Sequence, residues 1–158
     1  MPVETKTLKT IFVPTPFETA RALLKCLDVS NRDVVVDLGS GDGRIPLIAV
    51  REFGALAGIG VELDEKLCIA SHRNNGDVIE IICGDLFFTL PGLRPTVITA
   101  YLSPLLVEEL EKLIVNMKGI RVGLHDFPFP NLKPKKVTKS VAEGVLWPLE
   151  STLYCYEL

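Results

Sequence analysis

The sequence predicts an α/β domain on a mostly parallel sheet, and three observations predict it. Apolar runs of strand length alternate with helix-period segments over most of the chain. A glycine-rich turn follows the first run directly and opens a helix. Two strand-like segments close the chain with no helix between them, which predicts an antiparallel hairpin at the end. The 158 residues, 47% apolar and 23% charged, suit one domain with one core over residues 1–158.

The elements follow in order. Residues 16–27 read as a helix: Thr15 is a candidate cap, Pro16 suits the first position, and Ala20, Leu23, Leu24 and Leu27 share one apolar face. Residues 34–38 form a continuous run typical of a strand buried on both faces. Residues 39–43 are a turn, 45–53 a second helix, and 56–61 a second strand closed by Glu62. Asp64 caps a helix reaching Arg73. Residues 78–82 and 96–102 are the third and fourth strands, 105–117 a glutamate-rich helix, and 121–124 a fifth strand. Residues 126–134 are Pro-rich and loop-like; 137–141 and 152–158 are the closing strands. Helix content is lean after the third and fifth strands. This order matches the seven-stranded Rossmann-like methyltransferase sheet, with a minimal helix complement.

Charge and cysteines exclude several classes. A net charge of -3 argues against a polyanion binder, which is normally basic. Cys26, Cys68, Cys83 and Cys155 show no CxxC spacing, so no metal or redox motif is read; reduced, buried thiols are expected. The N-terminus carries no apolar signal core, and no apolar run approaches the ~20 residues of a membrane span, so a cytoplasmic protein is expected. Glutamine is absent, which hints at a thermophile.

The chemistry concentrates in Asp37-Leu38-Gly39-Ser40-Gly41-Asp42-Gly43-Arg44. Glycines permit positive φ and let a ligand approach the backbone, while a helix start offers unpaired N–H groups to a carboxylate. With Asp42 as cap, Pro46 falls in the first turn, where its missing N–H costs nothing. The G-x-G-x-G spacing, with Arg44 in the sixth position, departs from the dinucleotide fingerprint G-x-G-x-x-G. Asp37, just before the loop, suits a cation such as a methionine amino group. S-adenosylmethionine is therefore read as the cofactor ahead of a nicotinamide dinucleotide. Glu62, about 20 residues beyond the loop, is placed for ribose hydroxyls. Asp85 is placed for the adenine amino group, with Leu86 and Phe87 against the ring.

At these residues the chain resembles the small archaeal protein-lysine methyltransferases. Those are similar to the mitochondrial lysine methyltransferases that act on the ATP synthase c-subunit and the nucleotide carrier. The resemblance rests on Phe12-Val13-Pro14-Thr15-Pro16, the glycine segment, Gly60-Val61-Glu62, Gly84-Asp85-Leu86-Phe87, Tyr101-Leu102-Ser103-Pro104 and His125-Asp126-Phe127. It implies that Thr15 lies over the cofactor and that Asp37, Gly39, Gly41 and Asp42 hold the methionine end. It implies Glu62 at the ribose, Asp85 at the adenine and Tyr101 lining the methyl-transfer channel. Phe12 stands where the family often has tyrosine, Ser103 where it is usually apolar, and the tail after Pro128 matches poorly.

Tyr101 is the expected catalytic residue: its ring can stabilise an amine and its hydroxyl can orient the nitrogen. His125 and Asp126 read as a turn with a satisfied histidine, a base role for either being the alternative. The segment 101–104 is not the Asp/Asn-Pro-Pro-Tyr/Phe of base methyltransferases. Little chain remains to enclose a small metabolite, so the expected partner is a protein with an exposed lysine, with no metal, membrane or nucleic acid. A methyltransferase for RNA or a small molecule, and a non-catalytic cofactor-binding partner protein, are the alternatives. Lys133, Lys135, Lys136 and Lys139 read as a solvated hairpin edge.

Overall fold

The computed structural model describes residues 13–158. Phe12 and the N-terminal stretch in which no signal core is read lie outside the described residues. One seven-stranded sheet organises the rest, in the order β3-β2-β1-β4-β5-β7-β6. Its strands are β1 (Val34–Leu38), β2 (Ala57–Glu62), β3 (Glu80–Cys83), β4 (Val97–Ala100), β5 (Arg121–His125), β6 (Lys136–Ala142) and β7 (Leu149–Glu157). β1 to β5 pair in parallel, and β7 runs antiparallel to both β5 and β6.

Alternation along β1 sends its side chains to two cores. Val36 and Leu38 join Ile98, Val122 and Leu124 beneath Val107, Leu110 and Ile114 of α5 (Pro104–Ile114). Val35 joins Val97, Leu153 and Cys155 beneath Ala20, Leu23 and Leu24 of α1 (Phe17–Cys26) and Ile45, Ile48 and Ala49 of α2 (Arg44–Phe53). α3 (Glu65–Asn75) packs on β2 and β3. From β1 the chain builds outward one way through β2 and β3, then returns to the other side through β4 and β5. Such a switch point opens a crevice beyond the carboxyl ends of β1 and β4, where open α/β sheets bind ligands.

Several expectations shift. Thr15 does not cap α1: Pro16 holds the cap position without a side-chain bond, because the Thr15 hydroxyl is bonded to His125. β3 and β4 are shorter than expected, and Tyr101 falls just past the end of β4. A short helix, α4 (Leu86–Thr89), follows the third strand. The poorly matching tail completes the sheet: past the His125↔Leu153 pair, β6 and β7 continue from Lys139↔Thr152 to Ala142↔Leu149. Lys135 pairs with Glu157, while Lys139 reaches Glu150 and Thr152, as a solvated hairpin edge would.

The cysteines correct the expectation of reduced thiols. Cys26 pairs with Cys155 and Cys68 with Cys83 as disulfides, with Cα separations of 6.6 and 5.8 Å. Sequence spacing could not reveal this, because α1 meets β7, and α3 meets β3, only through packing. Among the described residues no helix is long and apolar enough to cross a membrane.

Candidate active site

The glycine loop is built by backbone geometry. Gly39, Gly41 and Gly43 take φ of 75, 57 and 82°, which side chains other than glycine rarely adopt. The Gly39 and Ser40 N–H groups both donate to the Val61 carbonyl, at 2.8 and 3.0 Å, and so strap the loop to the end of β2. Gly43, not Asp42, occupies the cap position of α2. Asp42 instead grips Arg44 (2.7 Å) and accepts from its backbone N–H, which leaves Pro46 in the first turn as expected. The Arg44 guanidinium also donates to the Thr15 carbonyl at 3.1 Å and lies 4.4 Å over the Phe17 ring. It thereby ties the loop to the segment that enters α1. Asn75 of α3 secures the loop from the far side, donating to the Asp42 carbonyl at 3.1 Å.

Asp37 lies within β1 and is buried; its carboxylate accepts from the Thr99 hydroxyl at 2.7 Å. Burial, partly offset by that bond and reinforced by the charges of Glu62 and Asp42, pushes the carboxyl up to about 7. Asp33, just before the start of β1, provides the contrast. It is equally buried but paired with Arg121 and bonded to Thr96 and the Ser30 N–H. Among the described residues Asp37 has no basic partner.

Glu62 sits at the end of β2 and accepts from the Gly41 N–H (2.7 Å) and the Asp64 N–H (2.8 Å). Each carboxylate oxygen keeps a further lone pair. Asp85 caps α4 by accepting from the Phe87 N–H at 2.8 Å, and Leu86 packs half-buried against the core. Asp37, Glu62 and Asp85 thus fall at the carboxyl ends of β1, β2 and β3, in chain order.

A second cluster lies beyond β4 and β5. The Tyr101 ring stacks on the His125 imidazole, centroids 3.8 Å apart, with Phe127 further out at 6.4 Å. His125 is buried between two hydroxyls, Thr15 (3.1 Å) and Ser151 (2.8 Å). Burial holds the imidazole below its usual range against the opposing charge of Asp126, and both its nitrogens are occupied. It is therefore a satisfied histidine and not a free base. Burial, then the nearby carboxylate of Asp126, raise the Tyr101 phenol above its usual range. Two open hollows, about 360 Å³ in the β6–β7 turn and about 510 Å³ between α3 and β3, include none of the predicted site residues. Among the described residues no three metal-ligating side chains converge.

The structure brings Thr15, Asp37, Gly39, Gly41, Asp42, Glu62, Asp85, Leu86 and Tyr101 to one edge of the sheet. Sequence reasoning missed the supports: Thr99 under Asp37, Asn75 behind Asp42, Ser151 behind His125. All three act across the fold and leave no local signal. Arg44 carried a signal, as the residue that broke the dinucleotide spacing.

No family model matches the sequence. Among solved structures, an RNA methyltransferase from Salinibacter ruber in complex with S-adenosyl-L-homocysteine aligns with a TM-score of 0.78 at 34% identity, covering 91% of this chain and 92% of that one. A precorrin-6y C5,15-methyltransferase from Geobacter metallireducens shares the fold at a TM-score of 0.69 and 10% identity, covering 95% and 91%. Sheet, loop and carboxylates together define a Rossmann-like, S-adenosylmethionine-dependent methyltransferase. Over 152 residues the chain is 36% identical to a protein-lysine N-methyltransferase of Saccharolobus islandicus, covering 92% of this chain and 91% of that protein. The chain belongs to the methyltransferase family of that archaeal protein.

Proposed function

We propose that this protein transfers methyl groups from S-adenosylmethionine to lysine side chains of other proteins. The observation that carries the cofactor part of the reading is buried Asp37, bonded to the Thr99 hydroxyl but without a basic partner among the described residues, beside Glu62 and Asp42 in an anionic pocket at the sheet's switch point; the lysine part is supported by the similarity to the archaeal protein-lysine N-methyltransferase. Such a pocket fits a cationic ligand, and ionised Asp37 needs one. In this reading Asp37, Asp42 and the Gly39–Gly41 backbone hold the methionine end, with Thr15 over it. Glu62 receives the ribose through its remaining lone pairs, while Asp85 and Leu86 receive the adenine.

When bound, the donor supplies a methyl group on a sulfonium: the acceptor nitrogen's lone pair forms the new N–C bond as the C–S pair returns to sulfur. The chain's own task is alignment, exclusion of water and management of charge. The acceptor amine must arrive at the transfer step without its extra proton, which leaves to solvent through the open side. A poorly hydrated aromatic mouth lowers an amine's basicity and favours that loss. Tyr101, kept as a neutral phenol, offers its ring face to the amine and its hydroxyl to orient the nitrogen.

The Salinibacter relative favours RNA as a second reading, and one experiment separates the two. The protein is incubated with methyl-labelled S-adenosylmethionine and a mixed cell extract. Label in protease-sensitive, RNase-resistant material, recovered as methyllysine, is the expected result. Label recovered as methylated nucleosides overturns the lysine reading.

A further inference from the structure

Asp126 is in a conformation that a side chain seldom accepts. Its φ is +65°, and across it the Phe127 N–H reaches back to the His125 carbonyl at 2.9 Å. This is a three-residue turn of the strained, positive-φ kind, and such strain in a non-glycine residue clusters at functional sites. The turn is locked from behind: the Asp126 N–H donates to the Thr152 carbonyl at 2.7 Å, and Asp126 Oδ1 accepts the Thr152 N–H at 3.0 Å.

The second oxygen, Oδ2, has a different setting. Its nearest basic atom is His125 Nε2 at 3.6 Å, in an imidazole that is already bonded on both sides. No lysine or arginine pairs with Asp126 among the described residues, and its side chain is 32% exposed. The rings of His125 and Phe127, on either side of Asp126 in this turn, both pack against the Tyr101 ring, whose phenol feels the Asp126 charge. A fixed, open carboxylate beside aromatic faces is a binding arrangement for an ammonium group.

We propose that Asp126 receives the protonated amine of the acceptor lysine beside the Tyr101 ring, and that its charge turns phosphate-bearing acceptors away. The inference rests on the lysine reading above and supplies its recognition element. A lysine approaches as a cation toward a site that holds a sulfonium, and like charges repel. Asp126 offsets that repulsion during docking. It takes no part in bond making: the proton leaves to solvent before the nitrogen attacks. Its role therefore falls on KM and not on kcat.

Asp126→Asn isolates the charge. The amide oxygen can still accept from the Thr152 N–H, and asparagine tolerates positive φ. Asp126→Gly removes the same charge and suits the turn by another route. With tritiated S-adenosylmethionine and poly-L-lysine as the acceptor, both variants are expected to raise KM at least tenfold. Values of kcat within about threefold, and a cofactor Kd unchanged by calorimetry, complete the expected result. An unchanged kcat/KM in either folded variant overturns the assignment of Asp126 alone. Wild-type label in total RNA and none in poly-L-lysine overturns the lysine reading, and this inference with it. Label in neither acceptor also counts against the inference, because the pocket described recognises the lysine side chain itself.

Discussion

At the residue scale, two aspartates, one just before β1 and one within it, show how structure and function divide. Asp33 is buried and matched by Arg121. Asp37 is buried and matched only by the Thr99 hydroxyl. Ionising Asp37 in the ligand-free protein therefore costs stability. The cost is absent below the unfolded-state range near 4, grows as pH rises, and is complete above about 7. If Asp37 meets the cationic methionine end, affinity for S-adenosylmethionine should rise as pH rises toward about 7, by up to about tenfold per unit, and level off above it. Titration calorimetry across that range checks the sign; a flat profile contradicts the pairing. Asp37→Asn should leave the ligand-free protein at least as stable at pH 8 while weakening binding by about tenfold or more. Tyr101 belongs to the same scale. Tyr101→Ala should lower kcat by roughly 10–100-fold with little change in cofactor Kd, and Tyr101→Phe should lower it less, because the ring face survives.

At the element scale, the loop depends on β2 as much as on its own glycines. A Cβ placed on Gly60 would stand 2.5 Å from Ser40 Oγ and 2.8 Å from Ser40 Cβ. Gly60→Ala should therefore cost about 1–3 kcal/mol in denaturant melts and displace the loop, with a matching loss of cofactor affinity. Unchanged affinity would mean that the strap between loop and β2 does not shape the site. This scale also shows what the sequence could tell. Val34–Leu38 and the loop are legible because a buried strand, a glycine turn and a helix start are each local and mutually consistent. The boundaries of β3 and β4 are less so, since pairing with neighbouring strands decides where short strands end. Thr15 was misread for a related reason. Beside Pro16 it looks like a cap, and only the fold reveals that β5 brings His125 to its hydroxyl. Asp126 read as an ordinary turn because backbone strain has no sequence signature of its own.

At the scale of the whole molecule, two disulfides close loops of very different length. Cys26 and Cys155 stand 129 residues apart, and Cys68 and Cys83 stand 15 apart. Constraining the unfolded chain over the longer loop is worth about 2–4 kcal/mol, or roughly 5–15 °C in melting temperature for a chain of this size. Melting with and without a reductant, and the same pair of melts on Cys26→Ala, should show that loss; identical curves would mean that the thiols are reduced in solution.

In the proposed function, the acidic, glycine-lined edge of the sheet seats a cationic methyl donor. Calorimetric titration of the purified protein with S-adenosylmethionine, and in parallel with a nicotinamide dinucleotide, tests it most directly. One saturable site for the methyl donor and none for the dinucleotide is the result predicted. Tight dinucleotide binding with no heat from S-adenosylmethionine would contradict it.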